Sequence, residues 1–331
     1  MNNHASTYTS AFLIFFLLIF SISPGFLILK TDAEVSIKKD ENNLTYNSIQ
    51  EAINNANEND TITINNSIYN EKITINKTIK LIGIDNPIIQ GKNKMYAIYI
   101  NSDNVSIKGL NIKNSKIAIF LSGSNNSIIN NNFENNKNCI FLNKANYNNI
   151  SYNVFLENNE GIHLYNSSNN KIYNNTFNSH SSKSVYLTEK SNRNIISNNN
   201  ISGEDTLALN RWSNYNKIIN NTLTESNIKL SHSFRNNIIG NHISDADRGI
   251  SLIHSSLNLI SYNHITGCSK SGIYLDNADN NNISSNKFKD NSMDIDSAAS
   301  APNIKTRGFE FLIALSAALF LFLLQKNWKK L

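Results

Sequence analysis

A repeat with steps of 20 to 24 residues limits what this chain can fold into more than any other feature. In Gly161–Phe177, GIHLYNSSNNKIYNNTF, the residues Ile162, Leu164, Ile172 and Phe177 are apolar, and Ser, Asn and Lys fill the gaps. Apolar pairs one residue apart recur from Ile98/Ile100 through Ile140/Leu142 and Val185/Leu187 to Ile273/Leu275. Asn-x-apolar triplets end at Phe133, Phe155, Phe177, Ile201, Leu223, Ile243, Ile265 and Phe288, each with another apolar residue five positions earlier. A period of this size is the mark of a solenoid. Alternation over very short runs is the two-residue period of strands, not the period of helices. The prediction is an all-β fold, a single parallel β-helix with three-strand turns of about 22 residues. At about 4.8 Å per turn, nine or ten turns give a rod roughly 45 Å long.

The Asn of each triplet (Asn131, Asn153, Asn175, Asn199, Asn221, Asn241, Asn263, Asn286) then forms a column along the rod. Stacked amides pair from turn to turn, and Asn tolerates the left-handed backbone of a sharp corner. Between Glu34 and Ile304 there are 24 basic and 23 acidic residues, so the formal +5 of the chain lies mostly in its C-terminal tail. That balance argues against nucleic acid, which requires a basic face. Cys139 and Cys268 stand six turns apart, about 29 Å at the strand spacing, beyond the reach of a disulfide. Two free thiols are expected.

The ends differ from the repeat. Residues 1–33 read as a signal peptide or an N-terminal anchor, with Ala11–Leu29 nearly all apolar and Thr31-Asp32-Ala33 as a small-residue cleavage site. Residues 34–60 read as an N-terminal cap. Ile49, Ala52, Ile53 and Ala56 share one face of a short helix whose N-cap is Asn47 or Ser48. Residues 61–300 are the β-helix repeats. Residues 301–331 hold the apolar run Gly308–Leu324 followed by Lys326, Lys329 and Lys330. That run is long enough to cross a bilayer with its C-terminus in the cytoplasm. A hydrophobic helix is therefore expected at each end, with the β-helix outside the cell membrane.

The runs SIQEAINNANENDTITI and IYNEKITINKTIKLIGIDNPIIQG, followed by repeats such as GIHLYNSSNNKIYNNTF, resemble the NosD-type right-handed parallel β-helix family. That family lies within the pectate-lyase-like superfamily of carbohydrate-binding and sugar-cleaving proteins, and many of its members are adhesin-like surface proteins. The resemblance spans roughly residues 46 to 295 and implies the fold. Its namesake, a periplasmic copper-accessory protein, adds copper to the implied cofactors. Arg307-Gly308-Phe309-Glu310 with its apolar run is similar to archaeal Pro-Gly-Phe sorting signals, which implies membrane attachment.

For chemistry, the sugar-cleaving relatives carry compact clusters, and this chain has no Asp-Asp, Gly-His-Gly, Arg-Ile-Lys or Asp-Pro-His. Three constellations remain. Tyr99, Phe120, Phe141, His163, Tyr186 and Tyr274 sit mid-strand and face outward, a surface on which pyranose rings stack, although aromatic residues also favour exposed strands for packing alone. Glu189, Arg211, His232 and His254 fall on four successive turns. They are either a polar ladder or, through His232 and His254, a metal or acidic-sugar site. Glu204, Glu225, Asp247 and Arg248 occupy a variable turn, where three carboxylates suit Ca²⁺ and Arg248 suits a lyase; ordinary solvated turn charges are the default reading. The leading expectation is a non-enzymatic, membrane-anchored surface protein that binds cell-envelope or host glycans. A polysaccharide lyase or epimerase and a copper-accessory protein are the alternatives.

Overall fold

The computed structural model describes residues 34–39, 42–92, 94–178, 181–204, 206–298 and 305–306. The expected helices at the two chain ends, the cleavage site and the sorting segment lie outside these residues.

Three parallel sheets form the walls of a β-helix, and the chain visits them in fixed order. One turn runs from Ser127–Ile129 in the first sheet to Asn132–Glu134 in the second and Asn138–Asn143 in the third, then returns to the first at Asn149–Ser151. The second and third sheets hold eleven strands each, so the solenoid has about eleven turns, more than the nine or ten the spacing predicts. The extra turns lie at the ends. Thr61–Ile64, Ile68–Tyr69 and Ile73–Ile75 already form a complete turn, but their spacing to the next is irregular. At the other end Lys305–Thr306 still pairs with Asn282–Ile283.

Alternation does the folding. In the third sheet Ile98, Ile119, Ile140 and Ile162 stack in register, as do Ile100, Leu121, Leu142 and Leu164, all essentially without solvent contact. The second sheet sends Phe133, Phe155 and Phe177 inward, their rings parallel within 7° and 6° at 4.9 and 4.6 Å. Each turn lays an equivalent apolar set on the last, with Phe177 followed by Ile201 and Leu223, so the core is a continuous column at crystal-like packing.

The corners rest on asparagine. In the predicted column Asn153 donates its backbone N–H to Asn175 Oδ1 at 2.9 Å and its side-chain amide to the same oxygen at 3.1 Å and to Ile128 O at 2.8 Å. The left-handed residue is not the column Asn but the one before it, as at Asn130, Asn174, Asn198 and Asn220. A second buried ladder, Asn148–Asn170–Asn194–Asn216–Asn236–Asn258, lines the corner from the third sheet to the first. Its signal was present as an Asn two residues before each first-sheet isoleucine.

The first turn is covered as expected by α1, Ile49–Asn55, with Ser48 as N-cap accepting from Glu51 N at 3.0 Å. A hairpin that the alternation does not predict, Val35–Lys39 with Asn42–Tyr46, pairs antiparallel with Thr61–Ile64 and buries Val35 and Ile37 beneath the helix. Cys139 and Cys268 are both buried free thiols, and burial raises both above the usual thiol range.

Candidate functional site

The outer face of the third sheet is built by a departure from strict alternation. In Glu160–Tyr165 the neighbours Gly161 and Ile162 both point inward, which returns Glu160 to the same outer face as His163. Gly161 is required there, because a Cβ would lie 2.4 Å from Ser184 O and 2.9 Å from the Phe177 ring. Asn138–Asn143, Glu160–Tyr165 and Lys183–Thr188 therefore each present two outward side chains three residues apart, whereas Asn227–Ser231 alternates strictly and presents Asn227 and Lys229.

The ladder residue of each strand continues the one below in register: Tyr99, Phe120, Phe141, His163, Tyr186, Ala208, Lys229, Ser251 and Tyr274. Five consecutive rings thus form one strip. Their centroids are 5.5 Å apart at Tyr99–Phe120 and Phe120–Phe141, 4.8 Å at Phe141–His163 and 4.6 Å at His163–Tyr186. Tyr96, which the sequence reading did not single out, widens the strip at 5.3 Å from Tyr99. Tyr274 does not join the strip, because Ala208, Lys229 and Ser251 intervene.

Within the strip, His163 Nδ1 lies 3.4 Å from Glu160 Oε2 while Asn138 donates to the same carboxylate at 2.6 Å. The contact with His163 is the main cause holding the Glu160 carboxyl below its usual range. Lys183 stands 3.9 Å from Glu160, with its ammonium 4.8 Å from the Tyr186 ring centre. His163 Nε2 is buried without a hydrogen-bond partner. Neither Glu160 nor Lys183 was a sequence candidate. The i, i+3 spacing of Glu160 and His163 reads as opposite faces unless the paired inward residues are known.

Beyond the strip, small Ser251 leaves a groove of about 240 Å³ lined by Thr206, Asn227, Lys229, Asp247, Arg248 and Lys270. Arg248 is stacked 3.6 Å over Tyr274, and its Nε and the neighbouring Asn227 Oδ1 are buried without partners. Asp247 is held by Lys270 at 2.5 Å and Ser269 at 2.7 Å, which keeps its carboxyl below the usual range. The acidic corner does not assemble as the spacing suggested. Glu225 stacks on Gly203 and Asp245, displaced from both Glu204 and Asp247. Unequal turn lengths shift the register between those turns, by one residue at Glu204 and by two at Asp247. Arg248 faces the groove; Glu204 and Glu225 do not line it.

The polar ladder does fall in register. Glu189 pairs with Arg211 at 2.5 Å, and the His232 and His254 rings are 4.9 Å apart, with Ser231 Oγ 3.1 Å from His232 Nδ1. His242 and His264 form a similar pair at 4.9 Å. Among the described residues no three His, Cys, Asp or Glu converge on one point. A pair of exposed imidazoles is a poor donor set for a copper centre, which needs further ligands.

The model of the family described as "Periplasmic copper-binding protein (NosD)" matches residues 24–186 and 179–306. The chain belongs to the NosD family. Comparison with curated proteins yields no sequence match. Among solved structures this NosD-family chain is similar to the A-module of mannuronan C-5 epimerase AlgE6 from Azotobacter vinelandii, with a TM-score of 0.57 and 11% identity over 78% of this chain and 93% of that one. It is also similar to a mannuronic acid-specific family 6 lyase from human gut microbiota (TM-score 0.57, 14% identity, 75% and 74% covered). A third likeness is to a DFA-IIIase from Arthrobacter chlorophenolicus (0.53, 13%, 67% and 83%). At such identities these likenesses establish the right-handed β-helix fold. Among the described residues no helix is long and apolar enough to cross a membrane.

Proposed function

We propose that this NosD-family protein is a glycan-binding β-helix of the cell exterior that lays an extended saccharide along its third sheet. The observation that carries the reading is the unbroken strip Tyr99–Phe120–Phe141–His163–Tyr186, five rings on five consecutive turns. The turn spacing of about 4.8 Å is close to the length of one sugar in an extended chain, so successive pyranoses meet successive rings. The groove beyond the strip supports the same direction of binding. Its Arg248 is fixed by Tyr274 and makes no ion pair within 4 Å among the described residues, since the nearby Asp247 is taken by Lys270, which leaves it suited to an acidic group on the glycan. The fold neighbours named as epimerase and lyase act on polysaccharides, in agreement with this substrate class. Attachment to the membrane through residues 301–331 is part of the proposal.

The test is a glycan array probed with the full chain. We expect retention of extended glycans, reduced about tenfold for each ring contact worth about 1.4 kcal/mol in Phe120→Ala and Phe141→Ala. Unchanged retention in the double variant would defeat the reading. A second reading, polysaccharide lyase or epimerase, is favoured by the Glu160–His163 pair, a carboxylate and imidazole in contact within the strip. Shortened chains, or solvent deuterium appearing at carbon in an uncleaved glycan, would select it.

A further inference from the structure

The corner from the third sheet to the first does not keep one residue type along the rod. Its second left-handed position is Asn at Asn125, Asn169 and Asn280, with φ of 56°, 60° and 57°. Asn is the residue with a side chain that best accepts this backbone. On consecutive turns the same position holds Arg193, Tyr215 and Arg235, at φ of 56°, 59° and 56°. The same position also holds Tyr147 and Leu257, at φ of 60° and 62°, so the backbone alone does not mark these turns; what distinguishes them is how their side chains meet.

The three side chains form a stack. The guanidinium carbons of Arg193 and Arg235 lie 5.6 and 5.8 Å from the Tyr215 ring centre, one from each neighbouring turn. Neither Arg has a carboxylate partner among the described residues. The two upper turns also hold an extra left-handed residue, Lys190 and Trp212, at φ of 63° and 62°. Trp212 is 53% exposed and Tyr215 46%. The carboxylate at this corner, Glu189, is taken by Arg211.

We propose that this corner is a second binding site, apart from the third-sheet strip, for an acidic glycan bearing carboxylate or sulfate groups. Trp212 takes a pyranose face. Arg193 and Arg235, one on each side of Tyr215, each receive an anion through paired N–H donors. They stand two turns apart, about 10 Å, which is close to the length of a disaccharide. The site therefore selects glycans with one acidic sugar in every two.

Titration of the full chain with hyaluronan and chondroitin sulfate decides the matter, with neutral chito-oligosaccharide as the comparison. The Arg193→Asn/Arg235→Asn variant is expected to lose about tenfold or more in affinity while its Tm rises, because Asn suits both backbones. Arg193→Lys/Arg235→Lys keeps the charge and should recover little of the binding. Phe120→Ala/Phe141→Ala, which disables the strip, should leave the part of this binding that depends on Arg193 and Arg235 intact. Loss in the ring variant with none in the Asn variant would overturn the corner site and leave the strip reading standing. No binding of either acidic glycan, full recovery by Lys, or equal affinity for anionic lipid vesicles or oligodeoxythymidylate would also overturn it.

Discussion

Glu160 shows how a single residue couples packing to charge. Its carboxylate accepts from Asn138 at 2.6 Å and faces His163 at 3.4 Å, and the His163 contact leads in pulling its pKa down. A folded-state pKa below the unfolded value stabilises the fold above the ordinary glutamate range, and the contribution is lost as pH falls through the depressed value. Glu160→Gln should therefore be less stable than the parent by roughly 1 kcal/mol near neutral pH, discounting for partial exposure. The gap should close as pH drops below about 4. Thermal melts across that range check this; a gap that persists in acid would mean the carboxylate charge contributes nothing. At this scale the sequence was half informative. The outward rings and the asparagine column follow from counting residues. The Glu160–His163 contact does not, because it depends on Gly161 and Ile162 both turning inward.

Among the elements, the capping helix shows what local sequence leaves undecided. A seven-residue helix does not hold itself together in water. Ile49–Asn55 persists because Ile49, Ala52 and Ile53 are buried and because Glu71, a turn away, accepts the Ile49 and Gln50 N–H groups at 2.8 and 2.9 Å. The apolar face and the Ser48 cap were legible in the sequence; Glu71 was not, since its distance in sequence is set by the winding of the first turn. Glu71→Gln should cost about 1–2 kcal/mol through the lost anion at the helix start. Hydrogen exchange should quicken first at Ile49 and Gln50, and unaltered exchange there would contradict this account. The hairpin before the helix escaped notice for a related reason. Val35 and Ile37 form too short an apolar run to assign, and what makes them a strand is the open edge of Thr61–Ile64 beside them.

At the scale of the molecule, the repeat predicts fold class well and chemistry poorly, because the repeated residues are the ones that face inward. Side chains that recur on every turn build the column; Arg193, Trp212, Lys229 and Arg248 occur once and carry no pattern. The additive character of a solenoid gives a direct test. Asn138 pairs with Glu160, so deleting residues 138–159 removes one whole turn and joins equivalent positions. That deletion should fold, with the denaturant slope smaller by about a tenth, in proportion to the surface lost. Deleting residues 138–148 would bring a first-sheet strand to the place of a third-sheet strand and should not fold. Circular dichroism and urea titration separate the two outcomes.

The amide ladders join residues 20 to 27 positions apart from turn to turn, from Asn216 with Asn236 to Asn199 with Ile172. No turn waits on a distant part of the chain, and the capped end is the end synthesised first. A chain that emerges from its N-terminal end can thus wind onto a finished template, each new turn closing as its last asparagine appears. Emergence and folding then become one process, with only about a turn of unpaired strand exposed at any moment.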